Sequence, residues 1–237
     1  AMYSNNYYVQ STSSGGNSFA DSNLGLGTIM SGLSTGTWYH LAISRSNGSV
    51  AAWVNGTRTS TSTYNSAAGS TSDTFILGAQ NTGAWFLNGR ISNFRVVKGT
   101  AVYNPSSSTI TVPTSPVTEI SGTSLLLNGT NAGIPDYAEM NDLQTVGSAQ
   151  VSTSVKKYGT GSISFDGSGS QLNYPSSVFG SGDFTVEGWV YFNSVSGNQG
   201  IFGINFNSNA NSVSAIRVDI SSGVFRFMGS TDGSNFY

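Results

Sequence analysis

Aromatic side chains beside amides are the residues of this sequence most suited to chemistry, because flat rings stack on sugars and amides bond sugar hydroxyls. Trp53 lies in "SVAAWVNG", a run that reads as a β-strand. Strand alternation sends Val50, Ala52 and Val54 to the side that resembles a core and Trp53 to the other. The pattern therefore makes Trp53 a candidate for exposure and for ligand binding.

A second aromatic pair lies beside a turn, in "NTGAWFLNG". Loop residues carry much of the binding function of β proteins, so Trp85 or Phe86 is expected to face outward, with the amides of Asn81 and Asn88 nearby. The alternative for all three aromatic residues, Trp53 included, is burial or an interdomain contact, since tryptophan is usually largely buried.

Carboxylate spacing argues against a glycosidase. Retaining glycosidases need two carboxyl groups about 5–5.5 Å apart, which on one strand means residues two apart on one face. None of the predicted strands carries such a pair, and Glu187 in "FTVEGWV" and Asp219 in "IRVDIS" each stand alone. The sequence therefore predicts no enzyme activity.

Nucleophilic catalysis is disfavoured as well. His40 is the one histidine and there is no cysteine. His40 shares a strand face with Trp38 and Ala42, so a packed or hydrogen-bonded structural role is favoured over a general base. Trp38 and Trp189 lie inside the strongest strand motifs and are assigned to the fold.

Calcium is the one cofactor for which the sequence offers a place. The ion takes oxygen ligands without histidine or cysteine, and the acidic loop holds Asp136, Glu139 and Asp142, with Asp166 available from "FDGSG". In the other interpretation these aspartates are turn formers that bond their own backbone.

The composition narrows the classes of partner. The net charge is −2 with only nine Lys and Arg, so no basic stripe predicts nucleic-acid binding. No apolar run approaches the roughly 20 residues of a spanning helix, which predicts no membrane insertion. Cysteine is absent, which excludes disulfides and thiolate metal sites.

Short apolar runs bounded by Gly, Ser, Asn or Asp recur along the chain, among them "WYHLAISRS", "SVAAWVNGT", "SISFDG" and "DFTVEGWVYFNS". About eleven such runs predict an all-β protein, a two-sheet antiparallel jelly-roll sandwich. The stretch "SSSTITVPTSPVTEI" interrupts them with two prolines close together and predicts an extended connector.

Several motifs resemble one family. "WYHLAISRSNGSVAAWVNGT" followed by "ILGAQNTGAWFLNGRISNFRVVKGTAVY" is similar to the second half of a laminin G-like, concanavalin A-type sandwich domain. "LLLNG", "VSTSVKKYGTGSISFDGSGSQL" and "DFTVEGWVYFNS" are similar to its first half. The resemblance implies a second half over residues 1–103, a connector over 104–118 and a first half over 119–237.

This order permits two interpretations. In one, the chain is a window on a tandem array, which the alignment of residues 7–19 with residues 225–237 favours. In the other, the halves close one permuted domain together, within one chain or between neighbouring copies.

The resemblance also implies a function. Repeated sandwiches of this kind are similar to those in phage tail fibres and microbial surface proteins, an analogy of fold. We expect a non-catalytic extracellular or virion-surface module for adhesion, spacing, or binding of a cell-surface glycan or receptor, with neighbouring repeats or copies as further partners. The alternative is a carbohydrate-binding module of a larger polysaccharide-degrading enzyme.

Overall fold

A computed structural model describes residues 27–63, 74–79, 85–130, 133–138, 143–174, 182–204 and 215–230 of the 237-residue chain. All the regular elements in these ranges are β-strands. They are β1 (Gly27–Met30), β2 (Trp38–Ser46), β3 (Ser49–Val54), β4 (Thr57–Thr63), β5 (Phe75–Leu77), β6 (Asn88–Lys98), β7 (Thr123–Leu127), β8 (Gln144–Val146), β9 (Gln150–Ser152), β10 (Ser162–Asp166), β11 (Gln171–Tyr174), β12 (Phe184–Phe192), β13 (Asn198–Ile204), β14 (Ala215–Ser221) and β15 (Val224–Ser230). Within those ranges no helix has the length and apolar character that crossing a membrane requires.

The strands form two antiparallel sheets. The seven-stranded sheet has the order β1-β15-β14-β13-β5-β11-β8. The eight-stranded sheet has the order β4-β3-β2-β12-β6-β10-β9, and β7 also pairs with the long strand β6. The all-β sandwich predicted from the sequence is confirmed.

Strands from both ends of the sequence are mixed in each sheet. β12 lies between β2 and β6, and its residues pair with both neighbours along nearly its whole length. In the other sheet β5 pairs with β13 and β11, and β1 pairs with β15. Strands β1–β6 and strands β7–β15 therefore share both sheets; the predicted half-domain boundaries themselves stay a prediction.

Alternation along the strands builds the core between the sheets. On β2 the residues Tyr39, Leu41 and Ile43 point inward, and on β14 the residues Ile216 and Val218 do the same. Each of these side chains is at most 5% exposed. The residues between them consequently face outward. The outer faces of the two sheets are therefore the surfaces available to a ligand.

Two Asn-Gly turns fix the first hairpins. Asn47 and Gly48 connect β2 to β3, and Asn55 and Gly56 connect β3 to β4, all with positive φ. Positive φ at both central residues is typical of a tight hairpin turn whose twist matches that of the strands. These turns set the register that brings Trp53 opposite Ala42.

Residues 99–122, called the strap below, contain no strand and cross the outer face of the eight-stranded sheet. The Ile110 amide donates to the Gly56 carbonyl, and the Arg58 amide donates to the Ser108 carbonyl, both at 2.9 Å. Farther along, the carbonyl of Thr118 accepts a hydrogen bond from Arg95 Nη1 at 2.7 Å. The strap therefore divides this face into a covered part and an open part.

Candidate functional site

The open part of the eight-stranded sheet carries a cross-strand row of large side chains. Tyr191 on β12 pairs with Trp38 on β2 and with Arg90 on β6. The three side chains are half-buried and lie on three adjacent strands, which are spaced about 4.8 Å apart. We call Trp38, Tyr191 and Arg90 the open row.

The rings and cation of the open row are in contact. The ring centroids of Trp38 and Tyr191 are 5.3 Å apart, within the range of favourable aromatic pairs. The guanidinium carbon of Arg90 lies 5.5 Å from the centre of the Tyr191 ring, as in a cation–π contact. The row thus combines aromatic surface with a positive charge.

Two amides extend the open row. Arg90 Nη1 donates to Asn193 Oδ1 at 2.7 Å, and Asn193 Nδ2 donates to Asn88 Oδ1 at 3.1 Å. Asn193 is exposed and Asn88 is half-buried. Aromatic faces beside amides and a guanidinium are the groups that can stack on a sugar ring and bond its hydroxyls.

The next row of the same face is more deeply buried. His40 is 1% exposed and Trp189 is 6% exposed, and their ring centroids are 5.2 Å apart. The Lys157 ammonium lies 4.0 Å from the centre of the Trp189 ring, and Tyr158 packs edge-on against the same ring at 5.8 Å. This buried row lies next to the open row, on the side nearer to Glu187 and the strap.

Below the strap, Glu187 is enclosed by partners. Its carboxylate accepts hydrogen bonds from Arg95 Nε at 2.9 Å and from Tyr103 Oη at 2.6 Å, and His40 Nε2 lies 3.5 Å away. Burial alone would raise the pKa of Glu187, but the approach of His40, the Arg95 charge and the Tyr103 hydroxyl together hold it below its usual value. Burial and the neighbouring Glu187 carboxylate raise the pKa of Tyr103. The cluster is a buried ion pair, and its carboxylate is 1% exposed.

A separate cluster lies on the outer face of the seven-stranded sheet. Asp219 is fully buried, its Oδ2 lies 3.1 Å from Arg217 Nε, and its Oδ1 accepts from Arg226 Nε at 2.7 Å. The ring of half-buried Trp85 lies 5.1 Å from the guanidinium carbon of Arg217 and 5.8 Å from that of Arg226. We call these four residues the Trp85 cluster.

The charges of the Trp85 cluster shift one another's titration. Burial lowers the pKa of Arg217 to about 10, and the opposing pull of Asp219 is weaker. Burial raises the pKa of Asp219, although the two guanidiniums act in the opposite direction. The cluster therefore places two guanidiniums beside one carboxyl group in a poorly hydrated environment.

Of the two interpretations of Trp53, burial is confirmed and exposure is wrong. Its alternation is as expected, since Val50, Ala52 and Val54 face the main core, but Trp53 is 0% exposed. The strap covers it: Trp53 Nε1 donates to the carbonyl of Ser107 at 3.1 Å. Its ring also packs against Tyr103 at 6.0 Å.

The other predicted ligand residues are not brought together. Trp85 and Phe86 are half-buried, and Trp85 lies over the seven-stranded sheet. Asn88 begins β6 in the opposite sheet and bonds Asn193 there. Asn81 lies outside the described residues.

Two of the predicted calcium ligands have backbone partners. Asp136 Oδ1 accepts from the amides of Leu126 and Ala138 at 2.9 and 3.0 Å. Exposed Asp166 accepts from the Ser168 amide and from Ser170 Oγ, and the bond from Ser170, followed by that from Ser168, lowers the pKa of Asp166.

The remaining acidic residues of that prediction, Glu139 and Asp142, are outside the described ranges. Within those ranges no three His, Cys, Asp or Glu residues come together as a metal site. Calcium binding stays a prediction.

The open row was missed because Trp38 was assigned wholly to the fold. The alternation of β2 contained the signal: Tyr39, Leu41 and Ile43 form the inward set, so Trp38 must lie on the outward face. Alternation does not predict the pairing of Trp38 with Tyr191, because Tyr191 lies on a strand 153 residues (191 − 38) farther along the sequence.

These features define a class of protein: an antiparallel β-sandwich with aromatic and polar clusters on its outer faces. Residues 3–101 match the family model described as the concanavalin A-like lectin/glucanases superfamily. The resemblance deduced from the motifs is confirmed over this part of the chain, and the superfamily indicates carbohydrate or receptor binding in general. No curated protein and no solved structure matches the chain.

Proposed function

We propose that the protein is a non-catalytic carbohydrate-binding module and that the open row binds the glycan. The observation that carries the proposal is the alignment of Trp38, Tyr191 and Arg90 on three adjacent strands. The row extends over two strand spacings, roughly 10 Å, and the amides of Asn193 and Asn88 continue it. This length suits a short segment of an oligosaccharide.

The ligand would contact the row in two ways. The rings of Trp38 and Tyr191 offer apolar surface to the faces of sugar rings, while Arg90 and Asn193 offer donors and acceptors to their hydroxyls. Contacts within the row hold Arg90 between Tyr191 and Asn193. A side chain held in this way loses less conformational entropy on binding.

The environment of Glu187 supports a non-catalytic role. A general acid of a glycosidase needs a raised pKa and access to the glycosidic oxygen. The pKa of Glu187 is lowered, and the side chain is 1% exposed under the strap. The alternative in which the chain is the binding module of a larger polysaccharide-degrading enzyme assigns the same role to the open row.

The proposed setting is an extracellular or virion-surface protein in which the module promotes adhesion or spaces other modules. The support is the similarity of the motifs to repeated sandwiches of such proteins and the cysteine-free composition with 30 glycines. A spacer needs no ligand, so a measurement of glycan binding separates spacing from adhesion.

The test is a screen of neutral oligosaccharides followed by calorimetry on the full chain. Trp38→Ala and Tyr191→Ala should each weaken binding about tenfold, which corresponds to about 1.4 kcal/mol. The matched control is Tyr137→Ala, because Tyr137 is an aromatic residue that is 45% exposed and lies outside the row. The proposal would be overturned if Trp38→Ala and Tyr191→Ala bound the glycan as tightly as the control Tyr137→Ala does. It would also be overturned if the unmodified protein bound no glycan.

A further inference from the structure

We propose that the Trp85 cluster is a second binding site, on the opposite face of the sandwich, for a sugar that carries a carboxylate. The cluster consists of Trp85, Arg217, Asp219 and Arg226 and lies on the outer side of β14 and β15. It shares no residue with the open row. The inference therefore goes beyond the proposed function and does not depend on it.

The charge of the cluster favours an anion. The two guanidiniums flank one carboxyl group, that of fully buried Asp219, so the cationic groups outnumber the carboxyl groups. Arg226 uses Nε to bond Asp219, while its buried Nη2 has no hydrogen-bond partner among the described residues. A buried donor without a partner is costly, and this donor of Arg226 is not used by Asp219.

The backbone around the cluster leaves space for the aromatic ring. On β13 the residues that pair with Asp219 and Arg217 are Gly200 and Gly203. Neither has a side chain to occupy the outer face beside the two charged residues. The ring of Trp85 lies against the guanidiniums there, and the Gly200 amide bonds the Trp85 carbonyl.

The backbone conformation of Trp85 costs conformational free energy. Its φ is +59°, a region that residues other than glycine occupy at an energetic cost and that occurs often at ligand sites. The Trp85 side chain is half-buried, so part of its surface is accessible to solvent. An exposed aromatic surface beside a guanidinium can stack on a sugar ring while the cation pairs with its carboxylate.

A purely structural role is the competing explanation. Buried ion pairs often contribute little net stability compared with apolar residues of similar volume, so stability alone gives a weak reason for three charges beneath a strained tryptophan. The two explanations differ in ligand selectivity, because a structural cluster has no reason to distinguish charged from neutral sugars.

The experiment uses the full chain and two probes of equal length, an oligogalacturonate and its neutral methyl ester. Calorimetry at low salt should show binding of the oligogalacturonate and at least about tenfold weaker binding of the ester. Trp85→Ala and Arg226→Gln should each reduce oligogalacturonate affinity at least about tenfold. Tyr137→Ala, whose ring lies outside both sites, is the control.

A measurement on the unmodified protein covers the case in which a variant fails to fold. Addition of oligogalacturonate should shift the Trp85 indole N–H resonance. Equal binding of both probes, no binding, or an unchanged Trp85 resonance would overturn the proposal. Oligogalacturonate binding that is lost in Trp38→Ala and kept in Trp85→Ala would place the anion at the open row, which overturns this inference and leaves the proposed function standing.

Discussion

At the scale of single residues, the carboxylate of Glu187 shows how deeply a polar group can be enclosed in this fold. It bonds Arg95 from β6 and Tyr103 from the strap, and it lies close to His40 on β2. Removing one partner of a buried ion pair leaves an uncompensated charge. Glu187 therefore connects the strap to the sheet, through its hydrogen bond from Tyr103 and its ion pair with Arg95.

We predict that Glu187→Gln lowers the free energy of unfolding by about 3 kcal/mol, because Arg95 is left buried without its counter-charge. Urea unfolding at pH 7 measures the change. Glu119→Gln is the matched control, since Glu119 is exposed, and it should change stability by less than about 0.5 kcal/mol. A loss of equal size in both variants would contradict the assignment.

The same pair predicts a dependence of stability on pH. The pKa of Glu187 is lowered in the folded protein, so its contribution is present above the unfolded pKa of about 4.3. It is lost as the pH falls through the folded pKa. The wild-type protein should therefore lose more stability than Glu187→Gln as the pH falls below about 4.3; parallel losses would show that Glu187 is not responsible.

Strand alternation predicts the correct face for Trp53 but does not decide between its exposure and its burial. Alternation is a local property, so the separation of Trp53 from Val54 could be deduced from the strand itself. Burial of Trp53 depends on Ser107 and Tyr103 of the strap, which crosses the sheet about 50 residues later in the chain. The path of such a segment has no periodic signal.

At the scale of elements, the strap is fixed where it meets the β3–β4 turn. Gly56 has a φ of +84°, and a Cβ added there would lie 2.9 Å from the Ile110 carbonyl oxygen and 2.9 Å from Val112 Cγ2. Both atoms belong to the strap. The close approach of the two backbones therefore requires glycine at this position.

We predict that Gly56→Ala lowers the free energy of unfolding by about 1–3 kcal/mol more than Gly99→Ala does. Gly99 has a similar φ of +80°, but nothing lies within 4 Å of an added Cβ. The difference between the variants isolates the contact with the strap, and thermal or urea unfolding measures it. Equal losses would mean that the strap does not rest on this turn.

The strands were easier to predict than the strand pairs. The alternating residues on either side of the first Asn-Gly turn indicated β2 and β3 directly. Strand β4 was not predicted, because its sequence TRTSTST contains no apolar residue. Nothing in the local pattern indicated that β12 pairs on both sides with strands of the first half. That pairing assembles the open row, so the fold class was predictable and the candidate site was not.

At the scale of the whole molecule, the eight-stranded sheet depends on both halves of the sequence. Without β12, strands β2 and β6 would each lose a partner along their length. Their apolar inner faces would also lose Phe184, Val186 and Val190 from the shared core. Open edges and exposed apolar faces favour aggregation.

We predict that neither residues 1–118 nor residues 119–237 fold alone. Circular dichroism during heating should show no cooperative transition for either fragment, whereas the full chain unfolds cooperatively. Size-exclusion chromatography reports whether the fragments are monomeric. A monomeric fragment 1–118 with a cooperative transition would contradict the dependence on β12.

The four tryptophan indole resonances of the full chain can report whether a glycan binds at the open row. A neutral oligosaccharide found in the screen is titrated while a ¹H–¹⁵N spectrum is recorded. Glycan binding at the open row should shift the Trp38 indole resonance in proportion to occupancy. The Trp53 resonance should not shift, because Trp53 bonds the Ser107 carbonyl beneath the strap. An unchanged Trp38 resonance at saturation would contradict glycan binding at the open row.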